Sequence, residues 1–139
     1  MIQRIGIIGY GYVGRGTAHA MASVAEVEWH DPAHAASRPL DAMVAWADAV
    51  FVCVPTPMGS DGSADLSIVQ AVARALADLN NEVPVLLKST VPPGTTAELA
   101  RRWPVLPLVF TPEFLRERHH LEDAAEPARV VLGDHRHPE

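Results

Sequence analysis

The chain has 139 residues, 48% of them hydrophobic, which is enough for the core of one ordinary domain. Eleven basic against 17 acidic residues leave a net charge of −6, which argues against nonspecific binding of DNA or RNA. One cysteine excludes an internal disulfide and fits a reducing cytoplasm, and no apolar run reaches the ~18 residues of a membrane span or has the form of a signal peptide.

Arg4–Ile8 is a short apolar run that reads as a buried strand. Glycines 9, 11 and 14 break it, and Val13, Thr17, Ala18, Met21 and Ala22 restart at helical spacing, predicting a helix from about Tyr12 to Ser23. A second strand near Val27–His30 leads to Asp31. Leu40, Met43, Val44 and Ala47 mark a short amphipathic helix. Asp48–Val54 is a third strand, apolar on both faces, stopped by Pro55-Thr56-Pro57. After the polar loop Met58–Ala64, Asp65 is expected to cap the longest helix, with Leu66, Val69, Val72, Ala73, Leu76 and Leu79 as its buried stripe and Asn80-Asn81 as its end. Val83–Leu87 is the fourth strand. Thr95 and Glu98 are spaced as a capping box for a helix that Pro104 ends. Pro107–Phe110 is the fifth strand, Glu113–Glu122 a charged helix or turn, Arg129–Leu132 the sixth strand, and Gly133–Glu139 a polar tail.

This alternation predicts an α/β class: a single-domain, doubly wound, six-stranded parallel sheet with strand order 3-2-1-4-5-6, the Rossmann fold. No helix follows the sixth strand. That edge is expected to be covered by a partner chain or a missing domain, or to stay open as a small polar surface.

Ligands bind such sheets at the carboxyl ends of the strands. Gly9-Tyr10-Gly11-Tyr12-Val13-Gly14 has G-x-G-x-x-G spacing on a strand–turn–helix joint. Gly9 makes the tight turn, Gly11 lets a pyrophosphate approach the backbone, and Gly14 lets helix and strand pack closely. Asp31 lies 22 positions after Gly9, where a carboxylate would accept hydrogen bonds from an adenosine ribose and repel a 2′-phosphate. No arginine follows it directly, so NAD is favoured over NADP. The other strand ends offer Val54-Pro55-Thr56-Pro57, Lys88-Ser89-Thr90-Val91-Pro92 and Thr111-Pro112-Glu113. Their prolines predict stiff rims, and their hydroxyls short, adaptable hydrogen-bonding groups. Glu113 and Glu117 are four apart and would share a helix face. His119-His120 and His135-Arg136-His137 lack companion ligands, so no metal site is expected. Cys53 sits mid-strand with no evident base or positive charge near it, a poor nucleophile.

Six blocks in sequence order carry a resemblance: Gly9–Gly14, Val54–Pro57, Asp65-Leu66-Ser67, Lys88–Thr95, Pro112–Glu117, and Asp123 with Pro127-Ala128-Arg129 and Gly133. Together they resemble the N-terminal NAD-binding domain of the UDP-glucose/GDP-mannose dehydrogenase family. The resemblance implies oxidation of the C6 alcohol of a nucleotide sugar to a carboxylate, with two NAD and a cysteine thioester. It also implies residue roles. Gly9–Gly14 would hold the pyrophosphate and Asp31 the ribose. Val54, Pro55, Thr56, Ser89, Thr90 and Glu117 would line the cofactor. Thr90 would help position the catalytic water, and Glu113 would act as acid/base in thioester hydrolysis. Glu113, Phe114, Leu115, Arg116 and Glu117 would contact the sugar. The family's nucleophilic cysteine, with its lysine and asparagine, lies in later domains beyond this sequence, and Cys53 does not match it. The stretch between strands two and three is short for the family, and the usual basic residue after the ribose acid has no clear counterpart. Arg118 and His120 stand where glycine and a small residue are usual, and would narrow the sugar site. Three readings stay open at this stage: the cofactor half of a nucleotide-sugar dehydrogenase, a free-standing NAD-binding or regulatory module, and a small Rossmann enzyme acting on something else.

Overall fold

The computed structural model describes residues 1–134. In chain order the elements are β1 (Arg4–Ile8), α1 (Tyr12–Met21), β2 (Glu26–His30), α2 (Leu40–Trp46), β3 (Ala49–Val52), α3 (Ser67–Asp78), β4 (Val85–Leu87), α4 (Thr95–Arg102), β5 (Leu108–Phe110), a 3-10 turn (Glu117–His119), α5 (His120–Ala125) and β6 (Gly133–Asp134). The sheet has six strands, and β1 to β5 are all parallel. Among the described residues no helix is long and apolar enough to cross a membrane. His135 and His137 lie outside the described residues.

Two expectations about the sheet are corrected. The order is β2-β1-β3-β4-β5-β6, not 3-2-1-4-5-6. The link from β2 to β3 carries one seven-residue helix and no outer strand, so the chain crosses back over β1 and β3 pairs on its far side, Ile5 against Ala49. Gly6 lets that crossing run close: a Cβ there would lie 3.2 Å from Met43 Cε of α2 and 3.3 Å from Cβ of Ala47, which caps it. With α1 on one face and α2 on the other, the winding reverses at β1, which places the ligand crevice above the β1 and β3 ends.

The sixth strand is Gly133–Asp134, not Arg129–Leu132, and it runs antiparallel to β5. A parallel entry needs a crossover of a dozen or more residues, usually helical. The link from Phe110 to Gly133 is long enough for that, but its helix α5 packs against α1, and the chain returns alongside β5 in the opposite sense. Val130 and Leu132 are left 70% and 65% exposed.

The core has two layers. Ile8, Val50, Val52, Val85, Leu87 and Leu108 meet Met43, Val69, Leu76 and Leu99 on one face. Ile5, Ile7 and Cys53 meet Val13, Ala18 and Met21 of α1 on the other. Val69, Ala73 and Leu76 of the predicted α3 stripe are buried but Leu79 is exposed, and Leu66, not Asp65, holds the N-cap position; the Asp65 carboxylate accepts the Ser67 N–H at 2.9 Å from just before it. The Thr95–Glu98 capping box does not form. Gly94 precedes the helix at φ +89°, Thr95 is already helical, and the Glu98 carboxylate accepts from Arg101 instead.

Asp48 ties the start of β3 to that of β1. Its Oδ2 accepts the N–H groups of Gln3 and Arg4 at 3.0 Å each, and its Oδ1 accepts from the Arg4 guanidinium at 2.8 Å. The Arg4 hydrogen bond, with those N–H groups, holds its pKa down at about 2. A depressed folded-state pKa adds stability above the unfolded value, near 3.9, and loses it as pH falls through the folded one. Asp48→Asn is therefore expected to unfold at a lower temperature than the wild type at pH 7, with the gap closing between about pH 4 and about pH 2. Thermal melts across that range check it.

Candidate functional site

The glycine turn is held from two sides. Gly9 N–H donates to the His30 carbonyl at 2.9 Å, and Tyr10 N–H donates to Asp31 Oδ2 at 2.8 Å, so the tip of β2 fixes the turn that follows β1. Gly9 has φ +89°, and a Cβ on it would lie 2.7 Å from the Cys53 carbonyl oxygen; a Cβ on Gly14 would run into the Gly9 carbonyl. Gly11 is different. A Cβ there would meet nothing within 4 Å. The first helical bond is Arg15 N–H to the Gly11 carbonyl, and no acceptor among the described residues takes the N–H of Gly11, Tyr12, Val13 or Gly14. Four unpaired donors at the positive end of a helix dipole, beside open space, fit an anionic diphosphate.

Asp31 borders this space. Desolvation pulls its pKa up, but the N–H groups of Tyr10 and Ala33, with help from His34 and His30, outweigh it and leave it below the usual carboxylate value. Each oxygen takes one backbone N–H, Oδ2 from Tyr10 and Oδ1 from Ala33 at 2.9 Å, and keeps a lone pair for a further donor. The Tyr10 ring stacks on Trp29, centroids 4.3 Å apart.

The rims after β3 and β4 are laced together. Ser89 Oγ donates to the Val54 carbonyl at 2.7 Å and Thr56 Oγ1 to the Thr90 carbonyl at 2.7 Å. These two hydroxyls, expected to be adaptable, are committed to holding the loops, and Ser89 is buried. Val54 is buried and Pro55 exposed beside them. Thr90 is exposed, and its hydroxyl has no partner among the described residues.

The segment after β5 forms a different wall. Glu113, Phe114, Leu115 and Arg116 line a cavity of about 480 Å³ with Lys88, on the α1 side of the sheet above Phe51 and Leu86. Glu113 Oε2 accepts the Leu115 N–H at 2.6 Å, which curls the loop over its own carboxylate. Arg116 is already paired on that wall. Its Nε and NH2 donate to Asp123 at 3.0 and 2.7 Å, and this side-on pairing holds Asp123 well below the usual carboxylate range. Arg129 sits over the exposed Phe114 ring. Glu117 and Thr90 are not on the cavity wall, so the two predicted catalytic residues, Thr90 and Glu113, stand on adjacent strand ends without sharing it. Glu117 is exposed, and its carbonyl accepts from His120 Nδ1 at 2.8 Å. The His120 ring packs edge-on against Tyr12 at 5.4 Å, and its carbonyl would lie 2.9 Å from a Cβ on Gly16, so α5 sits tight on α1.

Sequence reasoning gave Lys88 no role. Its side chain is half-buried on the cavity wall and has no hydrogen-bond or ion-pair partner among the described residues. It also corrects the expectation that no positive charge lies near Cys53, because Lys88 acts electrostatically on that thiol. Burial still dominates and pushes the Cys53 thiol up to about 12, so it is no nucleophile.

The family model of the UDP-glucose/GDP-mannose dehydrogenase NAD-binding domain matches residues 33–139. The chain belongs to that family. It is 44% identical over 98 residues to UDP-glucose 6-dehydrogenase of Pseudomonas aeruginosa, covering 63% of this chain and 22% of that one. It is 44% identical over 102 residues to the enzyme of the same name from Rhizobium meliloti, covering 68% and 23%. A UDP-glucose dehydrogenase structure from Pyrobaculum islandicum superimposes with a TM-score of 0.81 at 30% identity, over 98% of this chain and 42% of that one. GDP-mannose dehydrogenase of Pseudomonas aeruginosa shares the fold, with a TM-score of 0.75 at 24% identity over 95% and 41%. The chain thus spans under a quarter of the length of these two curated relatives, and the family part it matches is the one that binds NAD.

Proposed function

We propose that residues 1–139 are the cofactor domain of a cytoplasmic nucleotide-sugar 6-dehydrogenase of polysaccharide synthesis. Such an enzyme oxidises the C6 alcohol of a UDP-glucose-like or GDP-mannose-like substrate to a carboxylate. The observation that carries this reading is the run of four unpaired N–H groups from Gly11 to Gly14, with open space at Gly11 and Asp31 bonded to the adjoining Tyr10 N–H. The fan would hold the diphosphate and Asp31 the adenosine ribose; both precede residues 33–139, which match the family's NAD-binding domain. Tyr10, Tyr12 and Val13 would present the backbone of that cradle. Val54, Pro55 and Thr56, with Ser89, would form the rigid wall along the cofactor, and Thr90 would offer its free hydroxyl to the catalytic water. Glu117 would reach the cofactor from its exposed 3-10 turn. When bound, NAD supplies a hydride acceptor. Glu113 would move the proton in thioester hydrolysis, and Glu113–Glu117 would contact the sugar. The exposed Val130 and Leu132 beside β6 support coverage of that edge by a partner chain or a further domain.

Hydride transfer needs the reacting atoms about 3–3.5 Å apart and water kept out. A cofactor domain by itself offers little to enclose a sugar nucleotide or to exclude water. The purified chain is therefore expected to bind NAD and to turn over UDP-glucose very weakly or not at all. Calorimetry with NAD and NADP, then an NADH-absorbance screen of nucleotide sugars, tests this. Robust turnover by these 139 residues alone would overturn the division of labour, and absence of NAD binding would overturn the cofactor reading itself. A free-standing non-catalytic module is distinguished by mixing: a separately expressed Cys- and Lys-containing domain should restore turnover if the chain is half an enzyme, and not otherwise.

A further inference from the structure

Asp31 has one free basic neighbour. The turn after β2 closes with His34 N–H donating to the Asp31 carbonyl at 3.0 Å, and the His34 ring stands edge-on to Trp29 at 5.7 Å and to Tyr10 at 6.5 Å. The imidazole thus lies against the Tyr10–Trp29 ring pair, and the Tyr10 N–H bonds the Asp31 carboxylate. The ring is exposed, and neither of its nitrogens has a hydrogen-bond partner among the described residues. The other basic groups nearby are engaged. Arg38 pairs with Glu28 and lies over the Trp46 ring, and His30 Nδ1 bonds the Arg38 carbonyl at 2.8 Å.

We propose that His34 makes the discrimination between NAD and NADP depend on pH, because its imidazole rises from the turn that carries Asp31, the residue that would recognise the adenosine 2′ position. This rests on the reading that Asp31 receives the adenosine ribose. A neutral imidazole leaves Asp31 as the local charge, and a 2′-phosphate, which carries about −1.5 to −2, is repelled. Imidazole is the side chain that ordinarily gains charge between pH 8 and 5. Once charged, His34 offsets Asp31 and offers two N–H donors to a phosphate. The ionisable groups around it are Asp31 and His30 at the end of β2, the Glu28–Arg38 pair, and the Tyr10 phenol; His30 is the other imidazole among them.

The test is titration of NAD and of NADP at pH 8 and pH 6 into the wild type, His34→Gln, His34→Lys, His30→Gln and Asp31→Ala, with melting curves to confirm folding. From pH 8 to 6 the wild-type preference for NAD is expected to fall about five- to tenfold more than that of His34→Gln. Both proteins share the part due to protonation of the 2′-phosphate itself, so the difference isolates the imidazole. His34→Lys should bind NADP at both pH values. A pH slope in His34→Gln equal to the wild type's overturns the proposal, as does loss of the slope in His30→Gln alone, or no measurable NADP binding to the wild type at pH 6. If Asp31→Ala leaves NAD affinity unchanged, the ribose reading fails. If Asp31 matters and His34 does not, only this inference fails.

Discussion

Aspartate in place of Gly11 is expected to abolish measurable NAD binding, weakening it by more than about 100-fold, while the unfolding temperature holds or rises. The reason lies in what surrounds the position. Gly11 is the N-cap of α1, and a Cβ there meets nothing within 4 Å. Aspartate is among the preferred N-cap residues, because its carboxylate accepts one of the orphan N–H groups and favours the helix dipole. The same carboxylate would occupy the space a diphosphate needs and repel it. Each lost charge-assisted bond is worth roughly 1.5–3 kcal/mol, and about 1.4 kcal/mol is tenfold in affinity. The neighbouring glycines behave oppositely. Gly9→Ala places a Cβ at φ +89° and 2.7 Å from the Cys53 carbonyl oxygen. Strain of that kind costs about 1–3 kcal/mol, which lowers the unfolding temperature by roughly 5–10 °C. Calorimetry and thermal melts on both variants separate a glycine kept for its ligand from one kept for the fold. Gly11→Asp with undiminished NAD affinity would remove the diphosphate from this turn.

The glycine turn, Asp31 and the α3 stripe were legible in the sequence because each follows a local rule. A glycine with positive φ, an acid at a strand tip and a 3.6-residue period announce themselves within a few positions. The strand order was not local. It depends on whether the β2–β3 link carries an outer strand; here it carries only α2, which with Ala47 packs closely over Gly6 of β1. The direction of β6 likewise depends on where α5 packs, and the bare Cα of Gly16 leaves room for α5 to lie close on α1. Within the site, sequence supplied the residue types and the structure decided their engagements. Ser89 and Thr56 bind loop carbonyls, and Arg116 is taken by Asp123 seven residues on. Thr95 and Glu98 had the right spacing for a capping box, but Gly94 holds the N-cap position. Lys88 could have been singled out as the one charged residue in the otherwise apolar and hydroxylic run from Val83 to Pro93.

Asp31→Ala is expected to raise the NAD dissociation constant about 10- to 100-fold while changing NADP binding far less, so that most of the preference for NAD disappears. Two effects act together. A carboxylate that accepts ribose hydroxyls contributes roughly 1.5–3 kcal/mol through bonds to a charged group. The same carboxylate accepts the Tyr10 N–H, so its loss also loosens the turn that aims the N–H fan. NADP is spared much of this loss, because removing the charge relieves repulsion of its 2′-phosphate. Asp31→Asn separates the two effects: it keeps an oxygen for the Tyr10 N–H and loses the charge, so it should recover part of the NAD affinity and little of the selectivity. Glu113→Ala is the control. Its carboxylate curls over Leu115 on the wall of the separate cavity, and NAD affinity should stay within about twofold of the wild type. Equal losses at Asp31 and Glu113 would mean that the dinucleotide lies over the cavity on the α1 face and not across the β1 and β3 ends.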